Sequence, residues 1–173
     1  MKKSIDNEKM YEIVEKYSDE ILRMSYIYLN NLDAAYEVVQ NVFLKVYLNY
    51  WQFNGRSTEH TWIFRIVINE CKNYLKSAWK TRIVLSNDFS KETFEPQYES
   101  NRNEELISII QSLPAKYKEV ILLYYYEELK IREISKILHI SQSTVGSRLI
   151  KARELLKKEM KERNVYEKFQ RLL

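Results

Sequence analysis

The chain has 173 residues, only two glycines and two prolines, and a formal net charge of +4. So few turn-formers exclude a sheet-rich fold with many hairpins. The 45% hydrophobic fraction suffices to bury sizeable cores, and the mildly basic balance permits nucleic acid without requiring it. The expected class is all-α, with two small helical domains, residues 1–82 and 104–173, joined by a flexible linker at 83–103.

The N-terminal stretch from Met1 to Tyr17 is charged throughout and has no apolar h-region. No segment approaches the run of about 18 apolar residues that a membrane span needs. The lone cysteine, Cys71, excludes an intrachain disulfide and suits a reducing compartment. A cytoplasmic protein with no membrane insertion is the expectation.

Met10, Ile13, Val14, Tyr17, Ile21, Met24 and Tyr28 follow the helical period, which predicts one long helix closing near Asn30-Asn31. Asp33 is placed to cap the next helix. Its apolar stripe is Val38, Val39, Val42, Phe43 and Val46, with Glu37, Gln40, Asn41 and Lys45 on the other side. Taken alone, that polar side is a solvated face.

The stretch from Tyr50 to Glu59 breaks the period around Gly55. Trp51 and Phe53 stand beside Asn54, Arg56, Ser57 and Thr58, which makes a loop of hydrogen-bonding side chains with an aromatic border. Such loops carry function when a rigid scaffold holds them, although a plain connection with a hydrophobic anchor has the same composition.

A third helix is predicted from Thr58 or Glu59 to about Lys80, buried along Trp62, Ile63, Ile66, Val67, Cys71 and Tyr74. The opposite stripe is Arg65, Asn69, Lys72, Asn73 and Lys76, spaced to share one face. It holds cations and amides and no acid, whereas a merely solvated face normally mixes signs. It reads as a phosphate-tracking surface able to reach bases, and Trp79-Lys80-Thr81-Arg82 extends its basic character. Cys71 reads as a packed thiol. It has no second cysteine, and neither His60 nor His139 lies at a ligand spacing, so no metal is expected.

From about Ile83 to Asn103 the sequence is polar, mixed in charge and interrupted by Pro96, as a linker would be. Leu106, Ile109, Ile110 and Leu113 then mark a helix that Pro114 ends, and a further helix runs to about Glu128 with Val120, Ile121, Leu123 and Tyr124. From Lys130 to Lys158 two helical periods flank His139-Ile140-Ser141. The first carries Ile131, Ile134, Ile137 and Leu138. Ser141 is a good N-cap for the second, which turns Val145, Leu149, Ala152 and Leu156 inward. Arg148, Lys151, Lys157 and Lys158 fall on its other faces. This is the pattern of a helix-turn-helix, whose second helix presents its first residues to base edges in the major groove. Here those are Ser143, Thr144, Ser147 and Arg148, with Ile150 and Lys151 a turn on. The plain alternative is a helical hairpin with a basic face.

Two blocks resemble one family. Asp33 to Tyr47 (DAAYEVVQNVFLKVY) with Thr61 to Lys76 (TWIFRIVINECKNYLK) is similar to region 2 of the extracytoplasmic-function sigma factors, in the sigma-70 family. Ser112 to Leu138 followed by STVGSRLIKARELLKK is similar to region 4. The blocks and their linker cover most of the chain in the family's order.

The resemblance implies a non-catalytic protein that binds core RNA polymerase and promoter DNA without a cofactor or a homo-oligomer. Asp33, Glu37, Gln40, Asn41 and Lys45 would dock on polymerase. The loop of Asn54, Arg56, Ser57, Thr58 and His60 would capture a base flipped from the −10 element. Arg65, Asn69, Lys72, Asn73 and Lys76 would hold the melted strand. Ser143, Thr144, Ser147, Arg148, Ile150, Lys151 and Arg153 would read the −35 element as duplex. Family members are commonly restrained by an anti-sigma factor, often membrane-anchored, so such a partner is expected. Two departures bear on the −35 reading: Gly146 stands where relatives commonly have Lys or Arg, and His139 where they often have Gly. Two other classes explain half of the sequence each. A dimeric helix-turn-helix regulator would not need the aromatic-bordered loop. A helical antagonist would not need short polar residues at the start of a recognition helix.

Overall fold

The computed structural model describes residues 5–84 and 101–163, with side chains over 5–78 and 104–163. Every regular element among them is helical, and the chain divides into two compact units. In the first, α1 spans Asn7–Leu29, α2 Leu32–Asn49 and α3 Glu59–Val84. In the second, α4 spans Asn101–Ser112, α5 Ala115–Ile121, α6 Ile131–Leu138 and α7 Gln142–Glu162. The ends of the expected 83–103 linker therefore belong to α3 and α4. Its remainder, and the expected continuation beyond residue 163, lie outside the described residues.

Local chemistry sets the helix ends of the first unit. The Asp6 carboxylate accepts from Lys9 N at 2.7 Å and starts α1. Asn30 stops it in the left-handed region at φ 53°, with its N–H on the Tyr26 carbonyl. Asn31, not Asp33, caps α2: its side chain accepts from Ala34 N at 2.7 Å. Asp33 sits inside the first turn, where a carboxylate faces the positive end of the helix dipole.

The three helices pack on one another through Ile13, Tyr17, Ile21, Met24, Ile27 and Tyr28 of α1, Val38, Val42 and Val46 of α2, and Ile63, Phe64, Val67, Ile68 and Cys71 of α3. Ala34 and Ala35 are buried as well, and their small side chains let backbones approach. Burying each large apolar side chain contributes roughly 1.5–3 kcal/mol. Three expected core positions are displaced: Val14 is exposed, and Trp62 and Ile66 are only half-buried while Phe64 and Ile68 take the centre.

In the second unit, Pro114 opens α5 and its carbonyl accepts from Tyr117 N and Lys118 N. The helix expected to reach Glu128 widens instead into a π turn at Leu122–Tyr126, where Glu127 N bonds the Leu122 carbonyl at 3.1 Å. Glu128 leaves it at φ 51°. The α6–α7 turn follows the sequence expectation. Ile134, Ile137 and Leu138 are buried, and His139 adopts the left-handed conformation (φ 55°, ψ 43°) with its N–H on Ser135 O. Ser141 Oγ accepts from Thr144 N at 3.0 Å and caps α7, whose Val145, Leu149, Ala152 and Met160 are buried.

Candidate nucleic-acid and protein interfaces

A short 3-10 turn at Tyr50–Gln52 leads from α2 into the loop. Below it Tyr50, Phe53 and Trp62 form a three-ring cluster with centroids 5.7–5.8 Å apart. Asn54 Oδ1 accepts from Arg56 N at 3.2 Å across Gly55, which takes φ 72°. Asn54 and Arg56 are exposed, and Ser57 is half-exposed. Thr58 is occupied by helix initiation: its Oγ1 accepts from Thr61 N at 3.1 Å and its carbonyl from Trp62 N. His60 turns toward α1. Its ring lies 4.4 Å from Phe64 and 5.9 Å from Tyr17, and Nε2 is 3.8 Å from Glu20 Oε2.

The α3 stripe forms as expected in one respect and differs in another. Asn69, Asn73 and Lys76 are exposed, Arg65 and Lys72 half-buried, and a shallow concavity brings Asn69, Lys72, Asn73 and Lys76 together. Its floor, however, carries an acid. Glu70 is buried, forms an ion pair with Lys45 from α2, and accepts from Asn73 Nδ2 at 3.2 Å. Lys45 thus joins this concavity. Asp33, Glu37 and Gln40 share a different, exposed face of α2 with Leu44 and Leu48, which are 55% and 56% exposed. Asn41 is half-buried at its border, and Tyr47 and Trp51 add exposed aromatic surface. The apolar part of that face lies outside the polar set expected from sequence. The spacing of Leu44, Tyr47, Leu48 and Trp51, off the Val38 stripe, is the signal that reveals it.

In the second unit the start of α7 is a cluster of hydroxyls. Ser141 Oγ lies 2.8 Å from Ser143 Oγ and 2.7 Å from Thr144 Oγ1, and Ser147 Oγ donates to the Thr144 carbonyl at 3.0 Å. Ser143 and Ser147 are exposed, Thr144 and Arg148 half-exposed, and Ile150 is exposed. Lys151 pairs with Glu154 at 2.9 Å, which raises its pKa. Gly146 faces open space: a Cβ built there meets nothing within 4 Å. Arg153, grouped with the −35 residues from sequence, turns to the π turn and donates to the Tyr125 hydroxyl.

Residues 13–81 match the family model Sigma-70 region 2, and residues 103–156 match Sigma-70, region 4. The chain is 28% identical over 172 residues to the ECF RNA polymerase sigma factor SigW of Bacillus subtilis (strain 168), covering 91% of each chain. It is 30% identical over 159 residues to the ECF RNA polymerase sigma-E factor of Escherichia coli (strain K12), covering 83% of this chain and 82% of the relative. Among solved structures, the sigma factor RpoE co-crystallised with the anti-sigma factor NepR from Bartonella quintana has the same fold, with a TM-score of 0.80 at 19% identity over 89% of this chain and 98% of that one. CnrH in complex with the cytosolic domain of CnrY matches at a TM-score of 0.67 and 17% identity, over 91% and 90% of the two chains.

Proposed function

The chain belongs to the ECF sigma factors of the sigma-70 family, and from that membership we propose how its surfaces divide the work of promoter-specific initiation. As a sigma factor it lends core RNA polymerase its sequence specificity. The exposed face of α2 with Asp33, Glu37, Gln40 and Asn41 docks on polymerase, and Leu44 and Leu48 supply the apolar part of the contact. The loop tip, Asn54, Arg56 and Ser57, reads an unstacked base of the −10 element, while Thr58 and His60 anchor its C-terminal side. Arg65, Asn69, Lys72, Asn73 and Lys76 track the melted strand. Ser143, Thr144, Ser147, Arg148, Ile150 and Lys151 read the −35 duplex, and Arg153 braces them from behind. The observation that carries this reading is the pairing in one chain of two units, each with a polar surface suited to a different form of DNA. One is a loop able to pocket a base, and the other is a capped helix with hydroxyls and cations at its start.

Neither unit alone gains much by binding. A good bidentate base contact discriminates by about 1–3 kcal/mol, and the two readers act together only when polymerase fixes their spacing. The free protein therefore binds promoter DNA weakly. The uncovered Leu44 and Leu48 face suits an anti-sigma factor that competes with polymerase, and such a partner completes the proposal.

Run-off transcription with purified core polymerase and a randomised promoter library tests it. Selective initiation returns both promoter elements. Core binding without initiation would point to an antagonist, and no core binding to a stand-alone regulator.

A further inference from the structure

The loop that carries Asn54, Arg56 and Ser57 is closed at its base by a single carboxylate. Glu59, the first residue of α3, accepts from the Tyr50 hydroxyl at 2.7 Å through Oε2, and the same oxygen lies 3.2 Å from Lys9 Nζ. Its Oε1 faces the Tyr17 hydroxyl at a longer 3.4 Å. Tyr50 precedes the loop and Glu59 follows it, while Lys9 and Tyr17 belong to α1. The Tyr50 ring is held by Phe53 and Trp62. The first residues of the segment between are held by the 3-10 turn, with Phe53 N on the Tyr50 carbonyl at 2.9 Å, and its tip and end by the Asn54 contact to Arg56 N and the Thr58 cap. We propose that Glu59, with Tyr50 and Lys9, is a clasp that positions the loop for base capture. None of the three touches DNA in this role. They set where Asn54, Arg56 and Ser57 stand before a base arrives.

The physical case rests on preorganisation. A pocket for a flipped base works when its donors are held to within about half an ångström of their target positions, and side chains on a loose loop must first be ordered at binding. The geometry is backed by electrostatics. Burial alone would raise the Glu59 pKa, but the bonds from Tyr50 and Lys9 outweigh it and lower the pKa, so the charge that holds the clasp is maintained. A carboxylate at the first turn of α3 also faces the positive end of its dipole.

The inference rests on the proposed role of the loop, so the test separates the two. On the promoter returned by library selection, initiation is compared between that −10 element and one with a substituted base, for wild type, Glu59→Gln, Tyr50→Phe, Lys9→Met and Asn54→Ala. Loss of folded protein or of core binding lowers both templates alike and leaves their ratio unmoved. The expected result is a drop in that ratio of roughly ten-fold for Glu59→Gln and several-fold for Tyr50→Phe and Lys9→Met, on the scale where about 1.4 kcal/mol is ten-fold. Combining Lys9→Met with Glu59→Gln costs little more than Glu59→Gln alone, as for partners in one contact. Should Glu59→Gln fold poorly, Tyr50→Phe, which removes one oxygen and keeps the ring cluster, decides the matter. A wild-type ratio in Tyr50→Phe and Lys9→Met, with Asn54→Ala impaired, overturns the clasp and leaves the loop's role standing. No discrimination by the wild type, or none lost in Asn54→Ala, overturns the loop reading and the clasp with it.

Discussion

Arg153 Nε donates to the Tyr125 hydroxyl at 2.8 Å, and its guanidinium lies 5.6 Å from the ring centroids of both Tyr125 and Tyr124. The contact joins α7 to the π turn 28 residues earlier. A planar cation over two rings contributes on the order of 0.5–1 kcal/mol at an exposed site. Arg153→Ala is therefore expected to lower stability by about 1 kcal/mol while changing −35 duplex affinity little. Arg148→Ala should leave stability nearly unchanged and weaken binding by about 1–3 kcal/mol. Denaturant melts and anisotropy titrations on the −35 duplex separate the two. An equal loss of affinity in both variants would return Arg153 to the DNA surface.

His139 holds a positive φ of 55° without being glycine. A Cβ in the left-handed region costs roughly 1 kcal/mol relative to glycine. His139→Gly is thus expected to stabilise the helix-turn-helix by several tenths to about 1 kcal/mol, and His139→Val to destabilise it by more, because β-branching tolerates this conformation least. Thermal melts of the three proteins check the order Gly, His, Val. A less stable glycine variant would mean that the exposed imidazole supplies an interaction worth more than the strain.

Gly146 lies within α7 with open space where a side chain would project. Glycine inside a helix costs about 0.8–1 kcal/mol relative to alanine, so Gly146→Ala should raise stability by about that amount without altering the fold. Gly146→Lys adds a cation on the proposed duplex face. It is expected to tighten binding to any duplex and to steepen the salt dependence by about one phosphate contact. Affinity measured over a salt series distinguishes this from a base-specific gain.

The helices were legible because the apolar period of 3.6 is strong along α1 and α6, and because Ser141 and Pro114 mark ends by their own chemistry. What stayed hidden depended on choices between neighbours. Asn31 and Asp33 are both able to cap, and only the backbone direction after Asn30 gives the role to Asn31. The π turn answers to the burial of Leu122 and Leu123 against the unit's core, a tertiary demand that leaves no local signature. Glu70 falls next to Asn69 and outside the stripe by spacing, so helical periodicity does not group it with the cations. Lys45, on another helix, is what brings its charge into the concavity.

The Tyr50–Glu59 contact predicts two opposite limbs of pH dependence. Burial, then the bond to Glu59, pushes the Tyr50 hydroxyl up to about 12 from 10.0. A folded-state pKa raised this way gives stability that is complete below pH 10.0 and is lost as pH rises toward about 12. Glu59 is shifted down from 4.5, so its contribution is present above that pH and is lost as pH falls through the lower folded value. Tyr50→Phe should flatten part of the alkaline limb and Glu59→Gln part of the acid limb. Chemical denaturation at stepped pH measures both, and unchanged limbs in the variants would show that other groups set them.

Glu70 offers the sharpest test of the stripe. Its carboxylate is buried beneath exposed amides and cations and holds Lys45 and Asn73. A phosphate entering this concavity meets a cation already neutralised. Glu70→Gln keeps the shape and the acceptor for Asn73 but releases Lys45, whose side chain is 45% exposed and able to turn to solvent. The expected cost in stability is about 1 kcal/mol, since the pair is partly solvated. The expected gain is tighter binding of single-stranded −10 oligonucleotide, with a salt slope steeper by about 0.7, the value of one further phosphate contact on a single strand. Anisotropy titrations of that oligonucleotide across salt concentrations measure the slope. A steeper slope assigns Lys45 to the strand once Glu70 is removed. An unchanged slope with weaker binding would mean that Glu70 builds the surface the strand uses, and that the ion pair is part of the reader.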